Sequence, residues 1–359
     1  MKIIITGNMG YVGPTVVSHL RRTIPNAVLV GADSALFGHC LTAKSFPERL
    51  IDLQIYQDVR DLTEQTFADA DAVVHLAAIS NDPMGTRFES VTDEVNCKAT
   101  LRVAELAAAS GVRRLVFASS CSIYGYAEGG ARSEGDPLNP LTAYARSKVA
   151  AEEGLRTIAD RTSMNITALR FATACGFSSR TRLDLVLNDF VASALATRRI
   201  SVLSDGTPWR PLIHISDMAR AIEWAITRPL SDSSFLAVNA GRDEWNYQVI
   251  ELAEAVRDAV PGTIIDVNTN APADRRSYRV DFSLFKKIAP DHQPQVLLEE
   301  AIHDLSVGLS RLQFMTSDYR SSDMIRFNVL GTLAESGQID SQLRWVRGVH
   351  QPDADLAPA

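Results

Sequence analysis

Lys2-Ile-Ile-Ile-Thr-Gly7-Asn-Met-Gly10-Tyr-Val-Gly13-Pro-Thr-Val-Val-Ser-His-Leu-Arg-Arg22 opens with a β-branched run and passes through three spaced glycines into a helical pattern. Strand, glycine turn and helix in that order are the context of a dinucleotide-binding fingerprint. The first glycine permits the tight turn, the second lets backbone approach a pyrophosphate, and the third lets helix and strand pack closely. The spacing here is G-x-x-G-x-x-G, with Tyr11 and Val12 inside the turn. A second strand over Ala27–Gly31 leads to Asp33, about 20 residues beyond the fingerprint, where a carboxylate accepts hydrogen bonds from an adenosine ribose. It would repel a 2′-phosphate, so NAD is expected rather than NADP.

Working outward, short strands are expected around Gln54–Tyr56, Ala72–Leu76, Arg114–Ala118 and Asn165–Arg170. Between them lies an alanine-rich helix from Asn96 to Ser110. Strands alternating with helices predict an α/β fold, a Rossmann-type doubly wound parallel sheet. Past residue 170 the pattern loosens into a helix over Leu183–Thr197, a strand at Leu212–Ile215, a helix over Met218–Thr227 capped by Ser216-Asp217, a strand at Phe235–Asn239 and a helix over Asn246–Val260. Helical patterns continue from about residue 300 to Arg347. The expected organisation is a dinucleotide-binding domain at 1–170, to which 211–240 returns. A smaller α/β substrate-binding region covers 171–210 and 241–330, and 331–359 forms a C-terminal extension. His75, at a strand end, and His214 with Asp217 are expected to be structural.

Tyr144-Ala-Arg-Ser-Lys148 puts a phenol and an ammonium one helical turn apart. A free tyrosine titrates near pH 10; a neighbouring cation favours its phenolate. A serine hydroxyl from Ser119–Ser120 upstream, able to reach the same substrate oxygen, would complete a proton-handling group suited to interconverting alcohol and ketone.

Composition narrows the setting. The 359 residues are 46% hydrophobic and 22% charged, with a net charge of −7, so nothing basic invites nucleic acid or an anionic membrane. The four cysteines, Cys40, Cys97, Cys121 and Cys175, show no paired metal or disulfide spacing. No apolar run reaches membrane-spanning length, and the first residues enter a strand rather than a leader. A cytoplasmic protein without a metal is expected.

Taken together, these motifs resemble the extended short-chain dehydrogenase/reductase superfamily, in its branch of NAD-dependent nucleotide-sugar epimerases and dehydratases, and among these the UDP-glucose 4-epimerase-like members. The resemblance runs over roughly residues 1–285. It rests on the glycine turn, Asp33, Asp58-Val59, His75-Leu-Ala-Ala78, Asn96, the Ser119-Ser-x-Ser-x-Tyr-Gly125 loop, Tyr144/Lys148 and Arg210-x-x-Ile-His214-x-x-Asp217. It implies that Tyr144 acts as base, that Lys148 holds the nicotinamide ribose and that Ser120 meets the reacting hydroxyl. It further implies that Gly7, Gly10, Tyr11, Val12, Gly13, Asp33, Asp58, Val59, Leu76, Ala77, Ala78 and Asn96 surround the cofactor. The nucleoside-diphosphate sugar would meet Ser80, Asn81, Ser120, Ser122, Thr173, Asn188, Arg210 and Arg279. A homodimer through the helices near 96–110 and 143–160 is also implied.

Where related 4,6-dehydratases carry acids after the hydroxyl residue, this chain has Cys121 and Ser122. Neither readily abstracts a C5 proton and protonates a leaving oxygen, so epimerisation at C4 is expected. A dehydratase or 4-keto reductase is the alternative, with Asp82 as a candidate acid; a non-catalytic NAD-binding protein is a more distant one. Thr173 stands where galactose epimerases often have Asn, and Ala271 where many members have Arg. Arg180, Arg182, Arg275, Arg276 and Arg279 add positive charge, and several are expected to face the diphosphate or a polar sugar substituent.

Overall fold

The computed structural model describes residues 1–80, 84, 87–127, 129–230, 234–269, 277–312 and 318–346. Asn81, Asp82, Ala271, Arg275 and Arg276 lie outside them.

Seven strands form one sheet among the described residues: β1 (Lys2–Thr6), β2 (Val28–Asp33), β3 (Leu53–Tyr56), β4 (Ala72–His75), β5 (Arg114–Ser120), β6 (Asn165–Phe171) and β10 (Phe235–Ala240). Their order is β10-β6-β5-β4-β1-β2-β3, every neighbouring pair parallel. Helices cover both faces, which explains why the central strands read as unbroken apolar runs. Ile3, Ile4 and Ile5 are all 0% exposed. The sheet is the expected Rossmann-type arrangement. Its strand order reverses at β1, between β2 and β4, and the crevice beyond the carboxyl ends of these strands is where such sheets take their ligands.

The helices that position the site are α1 (Gly13–Thr23), α2 (Ala99–Ala109), α3 (Ala143–Asp160), α4 (Val186–Thr197), α5 (Ile215–Thr227), α6 (Val249–Ala259), α7 (Leu298–Arg311) and α8 (Arg326–Glu335). α1 buries Val16, Val17 and Leu20 against the sheet. α3 is capped by Thr142, whose Oγ1 accepts from the Ala145 N–H at 3.2 Å, and it buries Ser147, Lys148, Ala151, Glu152 and Leu155. A second layer holds β7 (Thr173–Cys175), β9 (Trp209–His214) and β11 (Asn246–Gln248) in the order β11-β9-β7, and β8 (Arg199–Val202) paired with β12 (Ile264–Val267).

Some local expectations change. α5 begins at Ile215 rather than after a Ser216-Asp217 cap; its cap is His214, whose Nδ1 accepts from the Ser216 N–H. Asp217 instead accepts from the N–H groups of Gln295 and Val296. Ahead of α2, residues Glu94–Lys98 form a π-turn carrying Asn96, where a regular helix was expected. The C-terminal helical pattern stops at Glu335, and Ile339 pairs antiparallel with Trp345. His75 is the satisfied strand-end residue expected, between Thr6 Oγ1 at 2.7 Å and Thr100 Oγ1 at 2.9 Å.

Candidate active site

The glycine turn forms one wall of a cavity. Gly7 has φ +73°, and a Cβ there would lie 2.5 Å from Ala77 N, so the segment after β4 crosses directly over the turn. A Cβ at Gly13 would lie 2.2 Å from Asn8 O, which fixes α1 against the turn. No side chain caps the α1 N-terminus, leaving a bare helix end suited to an anion. Gly7, Gly10, Tyr11, Asp33, Asp58, Val59 and Leu76–Ala78 all line the cavity, together with Arg182.

Asp33 accepts from Met9 N–H at 2.9 Å and Ala35 N–H at 2.8 Å. Removal from water pushes its carboxyl above the ordinary value, against those two hydrogen bonds. Asp58 is held on the opposite course: it accepts from Arg60 N–H and pairs with the Arg60 guanidinium at 2.6 Å, and its carboxyl ends below the ordinary value although burial opposes this. A bare turn, an uncapped helix end and a carboxylate at the end of β2 fit a dinucleotide with a free ribose 2′-hydroxyl. These residues would hold its pyrophosphate and adenosine ribose.

Beside this cavity lies a cleft of about 1200 Å³, roomy by the standard of small-molecule sites. Ser80, Ser120, Ser122, Tyr144, Thr173 and Arg210 line it. Lys148 is 2% exposed beneath them; its Nζ donates to Ala118 O at 2.8 Å and lies 5.5 Å from the Tyr144 ring centre. Burial pulls the ammonium down to about 7, with Glu152 opposing. Glu152 is itself buried, paired with Arg170 at 2.8 Å and accepting from Ser119 Oγ. Ser120 Oγ accepts from the Ser122 N–H at 3.1 Å, while Ser122 Oγ is buried with no hydrogen-bond partner.

Among the described residues, both acids in the cleft lining are engaged by arginines. Asp184 pairs with Arg182 at 2.8 Å, and Asp189 pairs with Arg320 at 2.9 Å and accepts from Tyr319 OH. Cys121 is fully buried, donates to Arg170 O and does not line the cleft; burial drives its thiol well up.

Several residues expected at ligands are engaged within the protein or do not line either space. Asn188 is 0% exposed: its Oδ1 accepts from Gly176 N–H, and its Nδ2 donates to Tyr11 OH and Arg182 O. With both N–H donors and the carbonyl oxygen engaged, it ties the glycine turn to α4. Asn96, also 0% exposed, exchanges both bonds with the backbone of Ile79 and donates to Ser147 Oγ, which pins the segment after β4 onto α3. Val12 and Gly13 do not line the cavity. Arg279 does not line the cleft; it lies 5.1 Å from the Trp209 ring centre and donates to Gly129 O. Arg180 is 0% exposed and paired with Glu48 at 2.6 Å, so it does not face a diphosphate. Arg182 bridges the two spaces, lining the cavity while donating to Ser80 Oγ at 2.7 Å. Asn81 is outside the described residues.

Among the described residues no group of three or more His, Cys, Asp or Glu could hold a metal ion. No described helix is long and apolar enough to cross a membrane.

Comparison with known proteins agrees with this geometry. The profile of the NAD dependent epimerase/dehydratase family matches residues 3–241. UDP-glucuronic acid decarboxylase 6 of Arabidopsis thaliana is 26% identical over 310 residues, covering 84% of this chain and 87% of that protein. The dTDP-glucose 4,6-dehydratase of Streptomyces griseus is 25% identical over 293 residues, 78% of this chain and 85% of that one. Among solved structures, MoeE5 in complex with UDP-glucuronic acid and NAD matches with TM-score 0.73 and 26% identity over 87% of this chain and 99% of its own. The UDP-glucuronic acid 4-epimerase of Bacillus cereus shares the fold with TM-score 0.76 at 20% identity, over 87% of this chain and 100% of its own. Through its profile match, its seven-stranded sheet and its bare glycine turn, the chain belongs to the NAD dependent epimerase/dehydratase family and is an NAD-dependent enzyme of it.

Proposed function

We propose that the protein epimerises a nucleoside-diphosphate sugar at C4 through a transient 4-keto intermediate. The supporting observation is the pairing of Tyr144 and Lys148 under one cleft with Ser120, while both acids described in that cleft are bonded to arginines. Bound NAD supplies hydride acceptance and return. Tyr144 takes the proton from the C4 hydroxyl, Ser120 holds that oxygen in line, and Lys148 favours the phenolate electrostatically. Arg210, on β9 at the cleft, neutralises the substrate diphosphate, so that binding energy remote from C4 retains the keto sugar while it turns. Ser80, Ser122 and Thr173 face the sugar.

Dehydration would need a carboxylate free to remove the C5 proton. Among the described residues of the cleft, the acids Asp184 and Asp189 are both engaged, which favours epimerisation; Asp82 lies outside the described residues. Residues 1–170 with 211–240 form the core of the dinucleotide half, and 171–210 with 241–330 the sugar-nucleotide half, from which Arg182, Arg326 and Leu330 reach into the dinucleotide cavity. The chain works in the cytoplasm as a homodimer through α2 and α3, a state that sedimentation at micromolar concentration would check. Its four cysteines are unpaired and buried, as a reducing compartment favours.

The test is incubation with UDP-, dTDP-, GDP-, CDP- and ADP-sugars in D₂O without added cofactor, followed by proton NMR. A C4 epimer free of solvent deuterium is the expected product. A 6-deoxy-4-keto sugar deuterated at C5 would mean dehydration, and a product formed only with stoichiometric reduced cofactor would mean a reductase.

A further inference from the structure

The dinucleotide cavity has a wall built by the far end of the chain. Arg326, Leu330 and Leu343 line it together with Gly7, Asp33 and Asp58. The family profile ends at residue 241, and the MoeE5 and Bacillus cereus structures match 99% and 100% of their own lengths while each covers 87% of this one.

This segment is fastened at several points. Trp345 Nε1 donates to Ser34 O at 2.6 Å, one residue past Asp33. Arg60, the partner of Asp58, also donates to Gln342 O at 2.9 Å, and Arg344 pairs with Asp61. Below these polar ties, Val329, Leu330, Leu333, Ile339 and Leu343 form one buried apolar cluster with Cys40 and Ile79. Leu183 N–H donates to Met324 O at 2.9 Å, joining the segment to the loop before α4.

Arg326 carries the chemical information. It is 2% exposed and lines the cavity, yet its hydrogen bonds run only to carbonyl oxygens, those of Asp323, Arg180 and Thr181. The neighbouring buried arginines are neutralised, Arg180 by Glu48 and Arg182 by Asp184. No ion pair involves Arg326 among the described residues. A buried cation without a counter-ion is costly, and an anion entering the cavity removes that cost. The glycine turn that leads into α1 borders the same cavity through Gly7, Gly10 and Tyr11, and such a turn favours the same ligand charge.

We propose that residues 318–346 are a fixed part of the NAD site, with Arg326 supplying positive charge to the cofactor's pyrophosphate and Leu330 and Leu343 walling its adenosine half. The proposal deepens the reading above and rests on it for the cofactor's being kept through both halves of the cycle. An epimerase must hold its dinucleotide until hydride returns, and a wall tied down at Ser34, Arg60 and Asp61 slows release.

The test uses full-length protein freed of nucleotide, with ADP and adenosine as probes, and separately the release of radiolabelled NAD from the loaded enzyme. Arg326→Met is expected to weaken ADP at least tenfold, leave adenosine within twofold and flatten the salt dependence of ADP binding; Arg326→Lys recovers part of the loss. A general loosening of the fold would weaken both probes alike. If Arg326→Met does not fold by circular dichroism, Arg326→Gln, which keeps a carbonyl-directed donor without charge, takes its place. The surface double variant Arg344→Ala/Trp345→Ala, with its circular dichroism spectrum and cooperative melting retained to exclude a loosened fold, is expected to weaken both probes at least fivefold and to release NAD at least tenfold faster. ADP binding unchanged on losing the Arg326 charge would overturn its role, and adenosine binding and NAD release unchanged in the double variant would overturn the wall. No sugar is present in these measurements. A product other than the C4 epimer would therefore defeat the epimerase reading and leave these binding results standing.

Discussion

Lys148 Nζ lies 5.5 Å from the centre of the Tyr144 ring and is fixed by its 2.8 Å hydrogen bond to Ala118 O. Burial brings this ammonium down to about 7. In the unfolded chain the same group titrates near 10.4. Between these values the unfolded state binds the extra proton, so this group makes stability rise with pH across that window. Below pH 7 both states are protonated and the slope vanishes. The melting temperature of nucleotide-free wild type, measured against Lys148→Met, should climb from about pH 7 to 10 and run parallel below. A flat difference would mean that Lys148 is not held in a desolvated site.

Removing the Tyr144 phenol tests the proton step. Tyr144→Phe should lower kcat by roughly 10²–10⁴-fold, the usual range for a lost general base. Its NAD content should match wild type. Near-normal turnover would remove Tyr144 from the chemistry.

Ser122 Oγ is buried without a protein partner. Ser122→Ala should leave folding stability unchanged or raise it by up to about 1 kcal/mol, since an unsatisfied hydroxyl is lost. If the hydroxyl meets the sugar, KM should rise while the fold is unaffected. Denaturant unfolding beside steady-state kinetics separates the two effects.

Asn96 fills both backbone bonds of Ile79 and reaches Ser147. Asn96→Ala leaves the Ile79 N–H and C=O buried without partners. A loss of about 2–3 kcal/mol in urea unfolding is expected. NAD should also bind more weakly, because Leu76–Ala78 are no longer held over the glycine turn.

Gly7→Ala places a methyl 2.5 Å from Ala77 N at φ +73°. The segment after β4 must then move off the turn. Isothermal titration should find NAD affinity reduced at least a hundredfold, and retained affinity would show that the turn does not carry the pyrophosphate.

The order of strands and glycines near the N-terminus was legible because each residue there answers to a local rule. A β-branched run makes the strand, Gly7 the positive φ, and Asp33 the end of β2. The Tyr144–Lys148 pair was legible as one helical face, but it took its meaning from the glycine turn, Asp33 and the serines upstream, since the spacing alone is common. Asn188 and Asn96 were harder, since an asparagine in a motif reads as a ligand contact whether it touches ligand or backbone; only the partners Gly176, Tyr11 and Ile79 show which. The arginines of the loop before α4 posed the same difficulty, with Arg180 spent on Glu48, 132 residues away in sequence. Arg326 left no local signal at all. Its importance comes from having no ion-pair partner among the described residues, a property of three-dimensional neighbours.

Strand β10 joins the edge of β6 only after the intervening second-layer strands β7–β9 and the helices α4 and α5 have been made. On the ribosome, six strands are therefore complete while β6 still offers an unpaired row of amides to any passing strand. That interval, about 60 residues of synthesis at several residues per second, is the chain's most aggregation-prone moment. A chaperone that shields this sheet edge would do more for yield than one acting on the finished chain.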